Sequence, residues 1–460
     1  MTARELAAWA LGLAEVPEAV SAAAARHLLD GFGTALGALR TGAAAPAIEV
    51  ARGLGGPPEA AVLGTGEALS APAAALANGT LVHALDFDDT HAGGLVHATA
   101  VVLPAAFAVG QQTGASGREI LLAAVAGYET ACRVAAAAPH GFHARGLHAT
   151  MVAGVFSSAL VTARLLGLDA ERAANALGIA GSQAGGLLAF LGTGASTKQL
   201  HPGFASQSGI VAARLAAAGA TGPETVFDGP HGVFDALSGK PADPASITAG
   251  LGERWETTRI GIKPYAACQL SHATIDAVLD AMARERLDPD EIASIHAVVH
   301  PDSAPTVCDT SRDLTRPATP YAAKFSLPWT VAALITDGGL ALDTFEPASI
   351  ARPEVTRLAA RVSWDVTGPP GVAADAPGRV TITLAGGREV TGSVPRSAGG
   401  GDRPLDRAAL LAKFAGAAGV PAAEAEGFAR IVESLGDQPD AAAVMEAAAG
   451  LAQFNRQENR

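Results

Sequence analysis

The chain has 460 residues, 49% of them hydrophobic but only 5% aromatic, with 53 glycines and a formal net charge of -13. That length exceeds what one hydrophobic core serves, so two domains are expected, and an Ala- and Gly-rich, aromatic-poor composition suits closely packed helices. The acidic balance excludes a general nucleic-acid or anionic-membrane surface, because phosphate binding needs clustered Lys and Arg; an anionic ligand requires a local basic pocket.

Thr2 to Leu13 and Glu18 to Leu39 carry apolar residues at three- and four-residue spacing and predict two amphipathic helices separated by Pro17. Ser70-Ala-Pro72 reads as a helix start, with the helix running through His83 toward Asp86. Continued further, it would set His83, Asp86 and Thr90 on one face. A helix is expected after His97, stopping near Thr113-Gly114. Ser116-Gly-Arg-Glu119 then forms a capping box for a helix from Ile120 to Ala137. The loop from Pro139 to His148 feeds a small-residue helix, Ala149 to Leu166. Helices over Leu168 to Ala180 and Gly209 to Ala218 bracket a glycine-containing segment, Gly192 to His201, that delivers Lys198 and His201 close together.

The texture changes near Trp255. Strand-like runs (Ser294 to Val299, Arg361 to Val366, Val380 to Leu384, Glu389 to Val394) alternate with helical patterns over Ser271 to Arg286 and Ala322 to Ile335. The last two strands join through Gly386-Gly387 as a hairpin. Ser397 to Asp402 reads as an exit linker, and from Leu405 the pattern is helical again. The predicted fold class is mainly α with an inserted α+β domain. Residues 1–258 and 397–460 make a large all-helical domain from both chain ends, and residues 259–396 make a smaller lid domain.

Cys132, Cys268 and Cys308 are odd in number and far apart, which suggests neither a disulfide framework nor a thiolate zinc site. The N-terminus lacks a basic region followed by an apolar stretch, and the Ala-rich runs fall short of the ~20 apolar residues that span a bilayer, so a cytoplasmic, non-membrane protein is expected.

Leu81 to Thr99 packs Asp86, Asp88 and Asp89 with His83, His91 and His97, and seven of the twelve histidines fall between His83 and His201. Burying such groups costs solvation energy, and chemistry is the reason to accept that cost. Together with Lys198, Lys263 and His272 they supply proton-transfer groups and cations, the combination for abstracting a proton beside a carboxylate. Taken singly, His83, His140, His143 and His231 read as satisfied core residues. A metal site is weighed and set aside, since no HExxH or comparable fixed-spacing pair occurs. GxSxG, GxGxxG and Walker spacings are missing as well.

Several segments resemble the MmgE/PrpD family of 2-methylcitrate dehydratases and cis-aconitate decarboxylases. They are Asn78 to Thr90, Gly127-Tyr-Glu129, Gly146 to Thr150, Thr197 to Gly203, Lys263 to His272 and Ala323 to Pro328. The resemblance covers most of the chain. It implies cofactor-free chemistry on di- or tricarboxylates and usually a homodimer, beside the absence of a nucleic-acid partner and of a metal that charge and motif spacing predict. It carries catalytic roles onto Asp86, His97, His148, Lys198 and His272, with Thr90, Lys263, His201 and Trp329 as substrate-binding candidates. Trp329 aligns with the decarboxylase branch's tyrosine, and His97-Ala-Thr99 stands where that branch has His-Pro-Ser/Gly. In the expected mechanism Asp86 orients one imidazole. The first expectation is a 2-methylcitrate dehydratase-like lyase, the commoner activity in the family. The alternatives are an iminodisuccinate epimerase-like isomerase, a cis-aconitate decarboxylase-like enzyme, and a degenerate carboxylate-binding scaffold.

Overall fold

A computed structural model describes residues 1–367 and 371–458. The protein is mainly α-helical with one four-stranded sheet, and it separates into two compact units. The first comprises 1–188, 197–262 and 406–460; the second comprises 189–196 and 263–405.

The helices of the first unit, in chain order, are α1 (Thr2–Gly12), α2 (Glu18–Thr41), α3 (Ala45–Gly53), α4 (Ala71–His83), α5 (Thr99–Thr113), α6 (Gly117–Ala136), α7 (Gly141–Ala144), α8 (Ala149–Leu165), α9 (Ala170–Gly181), α10 (Thr197–Ala217) and α11 (Val233–Leu237). Three more, Arg407–Ala418, Ala422–Glu433 and Ala442–Glu458, follow at the C-terminal end. Two of the predicted caps are present, whereas Ser70 opens α4 without a side-chain capping hydrogen bond. Ser116 and Glu119 complete a reciprocal capping box at the start of α6, and Gly114 ends α5 in the left-handed conformation with φ 66°. The short helix α3, rich in alanine and opened by Pro46, escaped the periodicity reading.

The centre of this unit is α8, which has 14 of its 17 residues buried and packs against α5, α6, α9 and α10. A helix buried all round must satisfy its own hydroxyls. Ser157 Oγ donates to Gly127 O at 2.8 Å, Ser158 Oγ to Val101 O at 3.1 Å, and Thr162 Oγ1 to Ser158 O at 2.7 Å. Close approach matters most where α4 crosses α10. A Cβ on Gly79 would lie 2.8 Å from the Cα of Gly203, and one on Gly203 would strike the Leu76 carbonyl. Two facing glycines let the helix backbones touch, which brings the C-terminal end of α4 beside the first turns of α10.

Two expectations fail here. Helix α4 does not carry on toward Asp86 and Thr90: it ends at His83, and Asp86 adopts φ 51° after a turn in which its N–H donates to His83 O at 3.0 Å. Aspartate tolerates this left-handed conformation better than most side chains, which is why the chain leaves the helix there and not at a glycine. Lys198 and His201 are not in a glycine-rich loop but on successive turns of α10, which begins at Thr197 and continues through Pro202 to Ala217. Packing against α4 and α8 overrides the local proline and glycine signals.

In the second unit the strand Ile292–Val299 is central. It runs parallel to Val362–Val366 on one side and antiparallel to Gly378–Leu384 on the other, which in turn pairs with Glu389–Val394 across the predicted hairpin. The helix His272–Arg284 lies on this sheet. Gly378 and Gly392 face it at positions where a Cβ would overlap the Ala273 and Ala277 carbonyls. The helical pattern Ala322 to Ile335 is split in two, Pro320–Ala323 and Leu327–Asp337; Ser326 caps the second by accepting from Trp329 N at 3.2 Å. Among the described residues, no helix is long and apolar enough to cross a membrane.

Candidate active site

The segment between α4 and α5 is buried throughout its charged residues: Asp86, Asp88 and Asp89 are each 0% exposed. Each acid has a different task. Asp86 Oδ1 accepts from Lys198 Nζ at 2.7 Å, so the sequence expectation that it orients an imidazole is corrected: its partner is the ammonium. Asp88 Oδ2 faces His83 Nδ1 at 2.7 Å. Asp89 caps α5, accepting from Thr99 N and from Thr99 Oγ1, while its backbone carbonyl accepts from His97 Nδ1 at 2.7 Å. Thr99 Oγ1 also meets Tyr128 Oη at 2.9 Å, which links α6 to the same corner.

Four imidazoles converge beside the Lys198–Asp86 pair. The ring centroids of His83 and His97 are 4.7 Å apart, His83 and His148 5.6 Å, His97 and His148 5.7 Å, and His148 and His201 5.2 Å. Each is fixed by its own element. His83 closes α4, and His148 is the N-cap of α8, its N–H donating to Gly186 O at 2.7 Å. The N–H of His97 donates to Thr150 Oγ1 at 3.1 Å, and Thr90 Oγ1 lies 3.2 Å from its Nδ1. His148 Nδ1 and His201 Nδ1 are 3.1 Å apart, sharing one proton between them.

These contacts fix tautomers. A carbonyl only accepts, so His97 Nδ1 carries the proton toward Asp89 O and its Nε2 holds the lone pair. His83, with Nδ1 on a carboxylate, is arranged the same way. Burial favours the neutral form of His83, His148 and His201. It pushes His148 well below the ordinary imidazole value, helped by His201 and the Lys198 charge, lowers His83, and takes His201 and the neighbouring His143 to about 3. Burial also raises the Asp89 carboxyl to about 7, against its hydrogen bonds to Thr99.

These shifts make the fold acid-labile. A histidine neutral in the folded state but protonated in the unfolded chain draws protons to the unfolded state below pH 6.5, so stability is full above that pH and falls as the pH drops toward the folded value. His27, lowered by burial to about 4, acts in the same sense as His83, His143, His148 and His201. Asp89 opposes them, since its protonated form is the one the fold favours between pH 3.8 and about 7. Each imidazole contributes up to about 1.4 kcal/mol per pH unit, so the five outweigh the one carboxyl. Urea denaturation at pH 7.5, 6.5, 5.5 and 4.5 is expected to show a steep fall in unfolding free energy below pH 6.5; a flat profile refutes the burial of neutral imidazoles.

Much of the surrounding polarity is structural. Arg133 Nε donates to Glu129 at 2.9 Å and its Nη1 to Ala249 O at 2.9 Å, while Glu129 accepts from Thr257 N at 2.8 Å. His91 Nε2 meets Glu256 at 3.0 Å; although burial opposes it, this bond and neighbouring arginines hold the Glu256 carboxyl at about 2. Lys413 Nζ bridges Asp30 at 2.6 Å and the Phe87 carbonyl at 2.7 Å, which ties the C-terminal helix to the acidic segment.

Of the residues singled out from sequence, the first unit thus assembles Asp86, Thr90, His97, His148, Lys198 and His201. His83 joins them. Taken singly it reads as a satisfied core residue, and the signal that pairs it is the five-residue separation from Asp88. Lys263, His272 and Trp329 belong to the second unit and are all buried. There His272 Nε2 donates to Ala267 O at 3.1 Å, and the Trp329 ring lies 5.7 Å from Phe345 with its Nε1–H meeting no acceptor.

Residues 4–245 match the MmgE/PrpD N-terminal domain, and residues 265–437 match the C-terminal domain. The chain belongs to the MmgE/PrpD family. Among its relatives is a cis-aconitate decarboxylase of Aspergillus terreus, 30% identical over 438 residues, which covers 90% of this chain and 89% of that protein. The human cis-aconitate decarboxylase is 29% identical over 388 residues, 80% of this chain and 77% of its own length. The cis-aconitate decarboxylase-like protein oryM of Aspergillus oryzae is 32% identical over 308 residues, 63% of each chain. This MmgE/PrpD chain therefore carries its buried His–Lys–Asp cluster within the N-terminal family domain.

Proposed function

We propose that this protein is a lyase acting on a small tricarboxylate or dicarboxylate by proton transfer at carbon, without a resident cofactor. The observation that supports this reading best is the buried Lys198 ammonium beside four buried imidazoles, two of which, His83 and His97, have their tautomers dictated by hydrogen bonds at Nδ1. Lys198 anchors a substrate carboxylate through a charge-assisted hydrogen bond, and Asp86 holds the ammonium in place. His97 Nε2, with its lone pair exposed by the Nδ1–H bond to Asp89 O, is the base. His148 is the acid: when His201 Nδ1 donates to His148 Nδ1, the other His148 nitrogen carries a proton to give.

The relatives are named for decarboxylation of cis-aconitate and not for dehydration of 2-methylcitrate, so cis-aconitate is the first substrate to try and 2-methylcitrate the second. In the decarboxylation the carboxyl group leaves as CO2 and a proton replaces it on the carbon skeleton; in the dehydration a proton and a hydroxide leave adjacent carbons. Proton NMR in deuterated water separates the outcomes. The expected result is consumption of cis-aconitate with CO2 release and one solvent deuterium in the product. Replacement of the 2-methylcitrate methyl doublet by an allylic methyl singlet would make the enzyme a dehydratase, and exchange without net conversion an epimerase. No exchange with any member of a carboxylate panel would overturn the reading in favour of a degenerate binding scaffold.

A further inference from the structure

His83, His97 and His148 come from three elements: the end of α4, the approach to α5 and the start of α8. One ring nitrogen of each lies within 4.8 Å of the other two, and all three rings are buried. Each ring is held through Nδ1: His83 by the Asp88 carboxylate, His97 by the Asp89 carbonyl, His148 by His201. The Nε2 atoms of His83 and His148 meet no hydrogen-bond partner although both are enclosed. Imidazoles that bind metals through one nitrogen are held in this way at the other, by a carboxylate, a carbonyl or another polar group.

We propose that these three imidazoles form a binding site for a divalent transition-metal ion, Zn2+ above all, and that occupancy silences the acid–base chemistry assigned above. Three nitrogens no more than 4.8 Å from one another sit at most about 1 Å farther from a common centre than zinc–imidazole bonds require, a distance that small ring rotations close. Ring centroids around one tetrahedral zinc stand roughly 5 Å apart, and the observed 4.7, 5.6 and 5.7 Å bracket that figure. The Asp88 carboxylate lies on His83 and the Asp89 carbonyl on His97, while Lys198 is already paired with Asp86, so the local charge accommodates a dication. The three ligands leave a fourth position open for water or a substrate carboxylate. The silencing follows from the proposed function, because zinc would take the His97 lone pair that accepts a proton and would occupy the His148 nitrogen that carries one. The binding itself does not depend on that function.

The test is titration of Co2+ into the full-length, metal-stripped protein, followed by its visible d–d absorption, with turnover of cis-aconitate measured in parallel. One equivalent is expected to give the intense bands of four-coordinate cobalt, Zn2+ to displace them, and turnover to fall in step. His83→Gln and His148→Gln should each abolish the bands while circular dichroism stays native, and Asp88→Asn should weaken affinity about 10- to 100-fold. Absence of the bands, or their survival in both histidine variants, overturns the site. Bands with turnover unchanged or raised overturn the silencing. Bands in a protein that turns over no carboxylate support the site and remove only the functional reading.

Discussion

Replacing His97 by glutamine is expected to lower kcat by about 10²- to 10⁴-fold, the range lost when a positioned general base is removed. The substitution is mild structurally. A glutamine amide can still donate to the Asp89 carbonyl that now accepts from His97 Nδ1, and the His97 backbone bond to Thr150 is untouched. Uptake of solvent deuterium into product should fall in parallel with kcat, while KM changes little, because the carboxylate anchor remains. A merely packed histidine in this position would leave deuterium uptake intact, and that result removes His97 from the proton transfer.

Lys198→Met should damage both stability and binding. Its ammonium is the 2.7 Å counter-ion of Asp86, which is 0% exposed, and stripping one member of a buried pair typically costs about 3–5 kcal/mol. Carboxylate affinity should fall about 10- to 150-fold, the value of one charge-assisted hydrogen bond. The double variant Lys198→Met/Asp86→Asn separates the two effects, since asparagine tolerates the positive φ and carries no charge. Stability measured by urea denaturation should recover in large part, whereas substrate binding should not. If binding recovers with stability, Lys198 is a structural cation.

The sequence by itself determined a good deal of this protein. Alanine-rich periodicity, the Ser116–Glu119 capping box, Gly114 and the Gly386-Gly387 turn are local signals, and each appears where it was read, because capping and turn chemistry depend on a few adjacent residues. The density of His and Asp between Leu81 and Thr99 marked the candidate site for the same reason: buried charge is costly wherever the fold places it.

Only the tertiary structure decided which of those groups meet. Asp86 pairs with Lys198 across 112 residues of chain, and His148 with His201 across 53. Neither separation has a period that a helix or strand would reveal. The residue closest to a legible pairing, His83 with Asp88, was obscured because the chain leaves its helix at His83 and turns through a left-handed aspartate. The three-imidazole cluster belongs to the same class. Its ligands are supplied by three separate helix ends, so no fixed-spacing motif exists to be read, and the close approach of Gly79 to Gly203 sets the helix that carries Lys198 and His201 beside them. Local chemistry is written in neighbouring residues; which lone pairs share a cavity is set by backbone approach between distant ones.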